Sequence, residues 1–343
     1  MAKGRKENGV GEATTREIVT RKRMMVFSGT AHPTLSQEIV ERLGIHLCEA
    51  KISRFASGEI YFRSLESARG TDAFVIQTHA WPINESIMEQ LVMIDALKRA
   101  SAKRITAVIP YYGYSRQDKK SLAREPISAK LVADMLSASG ANRVVSVDLH
   151  SGQIQGFFNF PVDHLTALPV LADYLAQDIR VPQDIVVVAP DAGRVKTAER
   201  LRESLHADLA FIYKRRSRHE AHKIEEIEVV GEVDGRPCVL IDDIIDTAGT
   251  MVEGARALAD KGAGEIYAVA THPVLSGKAV QRIAESPIKE TIVTNSLPIP
   301  EENAMVLGDR LTVLSIAPIV ADALMAVYED ESVSEIFHGE NQP

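Results

Sequence analysis

The sequence predicts an α/β protein made of two tandem copies of one unit, each a mostly parallel sheet flanked by helices. Three observations lead there. Short apolar runs alternate with stretches of helical period along most of the 343 residues, the pattern of strand and crossover helix. The order of elements then restarts: VIPYYGYSRQD compares with VAPDAGRVKTA, and VVSVDLHSG with CVLIDDIID, each an apolar strand followed by a polar loop. Finally, Cys238 to Thr250, CVLIDDIIDTAGT, runs from a buried strand into paired acids, a loop of small residues and a helix.

In order, Met24–Ser28 predicts the first strand and Pro33–Leu43 a helix with Leu35, Ile39, Val40 and Leu43 on one face. RFASGE, Arg54–Glu59, is a loop, with short strands at Ile60–Phe62 and Ala73–Gln77 after it. Ser86–Ala100 carries Ile87, Leu91, Ile94 and Leu97 on one helical face and Lys98 and Arg99 in its last turn. Arg104–Pro110 is a strand, Ser128–Ala138 a helix, and Arg143–Val147 a strand leading to His150. A boundary falls near Pro161–Ala167. Beyond it Leu168–Ala176 is helical, Asp184–Ala189 and Leu209–Tyr213 are strands, and PDAGRVKTA opens the helix between them. Val239–Ile241 is the strand that ends in acids and Met251–Lys261 the helix after it. Ile266–Thr271, Glu290–Asn295 and Leu311–Ile316 are strands, and Lys278–Glu285 and Pro318–Val327 helices.

The chain is about twice the length of a typical domain, so two domains are expected. The net charge of −8 argues against broad binding to nucleic acid or anionic membranes. No apolar run nears the roughly 20 residues that span a bilayer. Cys48 and Cys238 have neither disulfide nor metal spacing and read as reduced cysteines of a cytoplasmic protein. Residues 1–23, polar and of mixed charge, read as a disordered tail.

Chemistry concentrates at strand ends, where open parallel sheets bind ligands. Asp242 and Asp243 would stand at such a mouth. Thr247, Ala248, Gly249 and Thr250 would let backbone N–H groups close on an anion at a helix N-terminus. Carboxylates beside a phosphate cradle suit a sugar phosphate. The cations of KRRSRHEAHK, from Lys214, read either as a solvated surface loop or as a mobile loop closing over a ligand. A histidine such as His150 is either structural or a ligand at a sheet mouth, and Phe55 is either core or a stacking face.

CVLIDDIIDTAGT resembles the phosphoribosyl-diphosphate (PRPP) binding motif of type I phosphoribosyltransferases. The set RFASGEI, YSRQDKK, VDLHSGQIQGFF, PDAGRVKTA, YKRRSR and VLIDDIIDTAGT occurs in the order and spacing of the ribose-phosphate diphosphokinases, and the resemblance runs from about Met24 to Phe337, ending in ESVSEIF. It implies two phosphoribosyltransferase-like domains, 24–165 on the nucleotide side and 166–310 on the ribose 5-phosphate side. Residues 311–325 would return to the first, and 326–343 form a C-terminal segment. It implies transfer of the β,γ-diphosphoryl group of ATP to the 1-hydroxyl of ribose 5-phosphate, giving PRPP and AMP, with Mg²⁺ as cofactor and a homo-oligomer, a hexamer or a dimer unit of one.

By the same resemblance Lys214 and Arg216 stabilise the transition state, with Arg215 and Arg218 beside them. Phe55, Ser57, Gly58, Glu59, Arg116, Gln117, Asp118 and His150 bind ATP. Asp242, Asp243, Asp246, Thr247, Ala248, Gly249 and Thr250 bind ribose 5-phosphate, and His150 and Asp191 are the metal positions. Ser67, Arg69 and Gln155 resemble allosteric positions. Three residues depart from the family pattern: Ser57 for Asp or Asn, Arg194 for a glycine after Gly193, and Ala248 for a glycine, which costs roughly 1 kcal/mol if that position needs positive φ. The alternatives are a non-catalytic regulatory relative, in which the loop cations or the phosphate loop would be disrupted, and a single-domain phosphoribosyltransferase that consumes PRPP.

Overall fold

The structure, a computed structural model, describes residues 22–177, 184–216 and 224–337. It is built on two sheets. In the first half β1 (Met24–Ser28) leads into α1 (Pro33–Leu43), which Pro33 opens at its first turn and Gly44, with φ 68°, closes in the left-handed conformation. β2 (Ala50–Arg54) and β3 (Ile60–Ser64) pair only with each other as an antiparallel hairpin, so Ile60–Phe62 stands outside the main sheet. Next come β4 (Asp72–Ile76), α2 (Ile83–Arg99), β5 (Arg104–Ile109), α3 (Ser128–Ser139), β6 (Arg143–Val147) and β7 (Val162–Leu165).

The order β1-β4-β5-β6-β7 is parallel throughout. Side chains alternate across it. Met25, Phe27, Ala73 and Val75 pack under α2 and α3, while Val26, Phe74 and Ile76 pack under α1. With both faces covered, all five residues of β4 are buried, and after Asp72 the strand is a continuous apolar run, Ala73 to Ile76. Val162–Leu165, read from sequence as a junction, is instead the last strand of this sheet.

The second half holds α4 (Leu168–Gln177), β8 (Val186–Ala189), α5 (Val195–Leu205), β9 (Asp208–Arg216), β10 (Ile224–Val230), β11 (Cys238–Ile245), α6 (Gly249–Asp260), β12 (Ile266–Pro273), α7 (Ala279–Ala284), β13 (Ile288–Thr294), α8 (Glu301–Leu307) and β14 (Leu311–Leu314). Its sheet runs β10-β9-β8-β11-β12-β13-β14, with only β10 antiparallel. From β8 the chain goes outward to β9 and β10, then returns to lay β11 on the other side of β8. That reversal makes a switch point, where a crevice opens at the carboxyl ends of the strands.

Two boundaries differ from the sequence reading. The segment 311–325 divides: β14 stays in the second sheet beside β13, while α9 (Ala317–Glu329) crosses to pack on α1. The strand completes a ladder, whereas the helix needs the apolar face that α1 leaves open. Lys22 and Arg23, read from sequence as part of the tail, make defined contacts. Lys22 pairs with Asp330 at 2.7 Å and Arg23 with Glu66 at 2.8 Å, and residues 1–21 lie outside the described part. α10 (Val333–Ile336) follows α9, and residues 338–343 lie outside as well.

The sheets point their carboxyl ends at each other. His272, buried at the end of β12, reaches the carbonyls of Val147 and Asp148 at the end of β6, each at 3.1 Å. Carbonyls only accept, so Nε2 carries the hydrogen. Burial lowers the pKa of His272, which keeps the ring neutral. Thr271 Oγ1 donates to Asp148 Oδ2 at 2.6 Å and Thr78 Oγ1 to the Ser296 carbonyl at 2.7 Å. His272→Ala is expected to remove about 2 kcal/mol of stability, because buried carbonyls lose their donor. A urea midpoint equal to wild type would contradict this.

Candidate active site

An open cleft of about 210 Å³ lies where the two sets of strand ends meet. It is lined by Arg116 and His150 of the first half and by Asp191, Arg194, Asp242, Asp243, Asp246 and the loop Thr247–Thr250 of the second. Asp148 turns the chain after β6 with φ 37°, a left-handed conformation that Asp tolerates better than most residues, and this brings His150 round to the cleft. Asp191 follows β8 and accepts from the Gly193 N–H at 2.8 Å, opening the turn that carries Arg194.

The acids do not end their strand. β11 continues through Ile245, pairing with β12 as far as Pro273 but with β8 only as far as Leu240. Asp242 and Asp243 therefore stand on a strand whose β8 side has come free, next to the turn holding Arg194. Arg194 Nε lies 3.0 Å from Asp242 Oδ1 and its Nη2 3.2 Å from Asp243 Oδ1. His150 Nδ1 lies 2.7 Å from Asp243 Oδ2. Asp243 is thus held from both halves.

Burial works against the charge of both carboxyls. For Asp242 it prevails: burial, then the touching Asp243 carboxyl, push its pKa well above the usual carboxylate range. For Asp243 burial is outweighed by the His150 hydrogen bond and the Arg194 charge, which hold it below that range. The two titrate as a pair.

The loop Asp246–Thr250 is shaped from outside as well as within. Asp246 accepts from Arg116 Nη2 at 2.7 Å and from Ser276 Oγ, and Arg282 Nη1 donates to the Thr247 carbonyl at 2.8 Å. α6 then begins, and its first N–H groups have no carbonyl of their own helix to meet. Arg282 and Ser276 were not read from the sequence. They stand on a later segment, and no local spacing marks them.

Of the predicted residues, Phe55, Ser57, Gly58, Glu59, Gln117 and Asp118 do not line this cleft. Phe55 is 57% exposed at the tip of the β2–β3 hairpin, where its ring meets Tyr61 edge-on, and Ser57 Oγ donates to Glu59 at 2.7 Å. Gln117 accepts from Ser128 Oγ at 2.5 Å at the start of α3. Lys214 and Arg216, read as loop residues, belong to β9, opposite Ile227 and Ile224 of β10. They lie past the last β8 partner, Phe211, at the same edge of the sheet as Asp191, and β9 is two strands, roughly 10 Å, from β11. Arg218 lies outside the described residues.

Most of the chain has relatives of the same layout. Residues 24–140 match the family model described as the N-terminal domain of ribose phosphate pyrophosphokinase, and residues 217–338 that of the phosphoribosyl synthetase-associated domain. The ribose-phosphate pyrophosphokinase of Streptomyces avermitilis is 52% identical over 92% of this chain and 96% of its own length. The chain belongs to the ribose-phosphate pyrophosphokinase family. The same enzyme of Caldanaerobacter subterraneus is 51% identical over 92% of this chain and 98% of its own. The crystal structure of phosphoribosylpyrophosphate synthetase from Mycobacterium smegmatis superposes with a TM-score of 0.84 at 50% identity, covering 90% of this chain and all of that one.

Within this family frame, Ala248 occupies the αL position with φ 59° and ψ 6°, buried at the head of α6. An L-residue is strained there and glycine is not. Ala248→Gly is expected to stabilise the fold by roughly 1 kcal/mol, seen as a rise of about 2 °C in the thermal midpoint. A fall in the midpoint would contradict the strain.

Proposed function

We propose that the protein is a ribose-phosphate diphosphokinase that uses this cleft to transfer the β,γ-diphosphoryl group of ATP to the 1-hydroxyl of ribose 5-phosphate. The observation that carries the reading is the meeting of His150 and Arg116 from one half with the acids and phosphate loop of the other. The 1-hydroxyl oxygen attacks the β-phosphorus, the bond from that phosphorus to the α,β-bridging oxygen breaks, AMP leaves, and the hydroxyl proton passes to solvent. Such a transfer depends on alignment and on charge neutralisation more than on covalent help.

The 5-phosphate sits on Asp246–Thr250, against the N-terminal N–H groups of α6, and a ring hydroxyl donates to Asp242. Asp243 keeps His150 turned so that Nε2 is the nitrogen offered to the nucleotide. Lys214 and Arg216 neutralise the migrating diphosphoryl group. Phe55, Ser57, Gly58 and Glu59 hold adenine away from the cleft floor, with a second copy of the chain completing that pocket in a homo-oligomer.

Among the described residues no three His, Cys, Asp or Glu converge to hold a metal by protein atoms alone. This donor set fits Mg²⁺, which keeps water and phosphate oxygens and needs few protein ligands. His150, whose other nitrogen faces a carboxylate as in many metal-ligating histidines, and Asp191 are the residues that would hold it. Bound there, Mg²⁺ would screen the charge of the β- and γ-phosphates. Among the described residues no helix is long and apolar enough to cross a membrane, and with two free cysteines a cytoplasmic enzyme is the natural setting.

The purified protein with Mg²⁺, ATP and ribose 5-phosphate is expected to form AMP and PRPP in equal amounts. Lys214→Ala should slow turnover on the order of 10²- to 10³-fold. If wild type binds ribose 5-phosphate yet forms neither product, it is a regulatory relative instead.

A further inference from the structure

Arg194 is the departure with the largest consequence in the cleft. Its side chain is only 13% exposed although it belongs to a three-residue turn at the protein surface. The backbone there is unstrained, with φ −104° and ψ 1°, so the long side chain is not a by-product of a forced conformation. It folds inward, and both ends of its guanidinium are used. Nε meets Asp242 Oδ1 at 3.0 Å and Nη2 meets Asp243 Oδ1 at 3.2 Å.

Nη2 also lies 2.9 Å from His150 Nδ1. That nitrogen is 2.7 Å from Asp243 Oδ2, and a carboxylate oxygen can only accept, so Nδ1 carries the hydrogen and has no lone pair for the arginine. The guanidinium therefore serves the acids. The N–H of Asp243 also goes to Asp242 Oδ1, at 2.8 Å, so the arginine and this backbone group fix the same oxygen and neither engages Oδ2. Asp243, in turn, has Oδ1 on Arg194 and Oδ2 on His150.

We propose that Arg194 is a positioning residue for ribose 5-phosphate, a tethered cation that bridges Asp242 and Asp243 and leaves Asp242 Oδ2 as the oxygen that receives a sugar hydroxyl. The proposal rests on reading the acid pair as the sugar's site and divides its work. Asp242 touches the sugar, whereas Asp243 is committed to holding His150 and Arg194. A planar fork suits this bridge because two carboxylates are met by one rigid group. Without it, adjacent buried carboxyls must find another cation or settle against each other, and the receiving oxygen loses its fixed direction.

The test compares wild type with Arg194→Gln, Arg194→Lys and Asp242→Asn in the full chain, by steady-state kinetics at saturating MgATP, after circular dichroism confirms that each variant is folded. Arg194→Gln should raise KM for ribose 5-phosphate about tenfold while kcat falls less than about threefold, the signature of lost substrate positioning. Arg194→Lys, which keeps a cation in the cleft without the fork, should recover KM to within about threefold of wild type. Asp242→Asn should raise KM for ribose 5-phosphate or abolish turnover.

If Asp242→Asn acts in that way but Arg194→Gln keeps the wild-type KM, or lowers it, Arg194 is a bystander or a competitor and the proposal is overturned while the sugar site stands. An Arg194→Gln loss confined to kcat overturns it too, as does an Arg194→Lys variant no better than Arg194→Gln. A wild-type KM in Asp242→Asn overturns both the sugar site and the role of Arg194.

Discussion

The carboxylate of Asp243 is the tie on which the rest of the site depends. It is 7% exposed and would be poorly tolerated as an isolated charge, so it must be met by donors. One donor, His150, comes from the first half, and the other, Arg194, from the turn after β8 in the second. A buried ion satisfied from two directions fixes both neighbours at once. The two halves can move apart at the cleft only by exposing or abandoning that charge.

The opposed sheets make this tie possible. Parallel strands bring all their carboxyl ends to one edge, and the contacts of His272, Thr271 and Thr78 turn those edges toward each other. The reversal between β8 and β11 then leaves a gap at the sheet's mouth, filled by the Asp191–Arg194 turn on one side and the Asp246–Thr250 loop on the other. The Arg116–Asp246 pair crosses the same gap. A residue read as belonging to ATP thus grips the loop read as belonging to the sugar phosphate. The left-handed backbone at Ala248 is the local strain that closes this loop over the start of α6.

The fold class and family were legible because they rest on patterns within a few residues. Met24–Ser28, Pro33–Leu43 and Arg143–Val147 have the expected bounds, set by apolar period and by Pro33 and Gly44 as punctuation. Elements that break the pattern were missed. β10 is a charged edge strand, IEEIEVV, β7 is four mixed residues after a proline, and the second half of β11 hides behind its two acids. The lining of the cleft was legible where a residue type and its immediate neighbours make a motif, as in Asp242 to Thr250. It was not legible where function depends on who meets whom. His150 and Asp243 stand 93 positions apart. Arg194 stood out for its bulk, but the oxygens it reaches are set only by the turn of the fold.

The most direct measurement is a double-mutant cycle on kcat/KM for ribose 5-phosphate with His150→Ala, Asp243→Asn and the pair. If one carboxylate ties the halves into a single site, the two changes should fail to add, with a coupling of at least about 1 kcal/mol. Effects that add to within about 0.5 kcal/mol would show that His150 and Asp243 act independently, and the tie would not be what holds the site together.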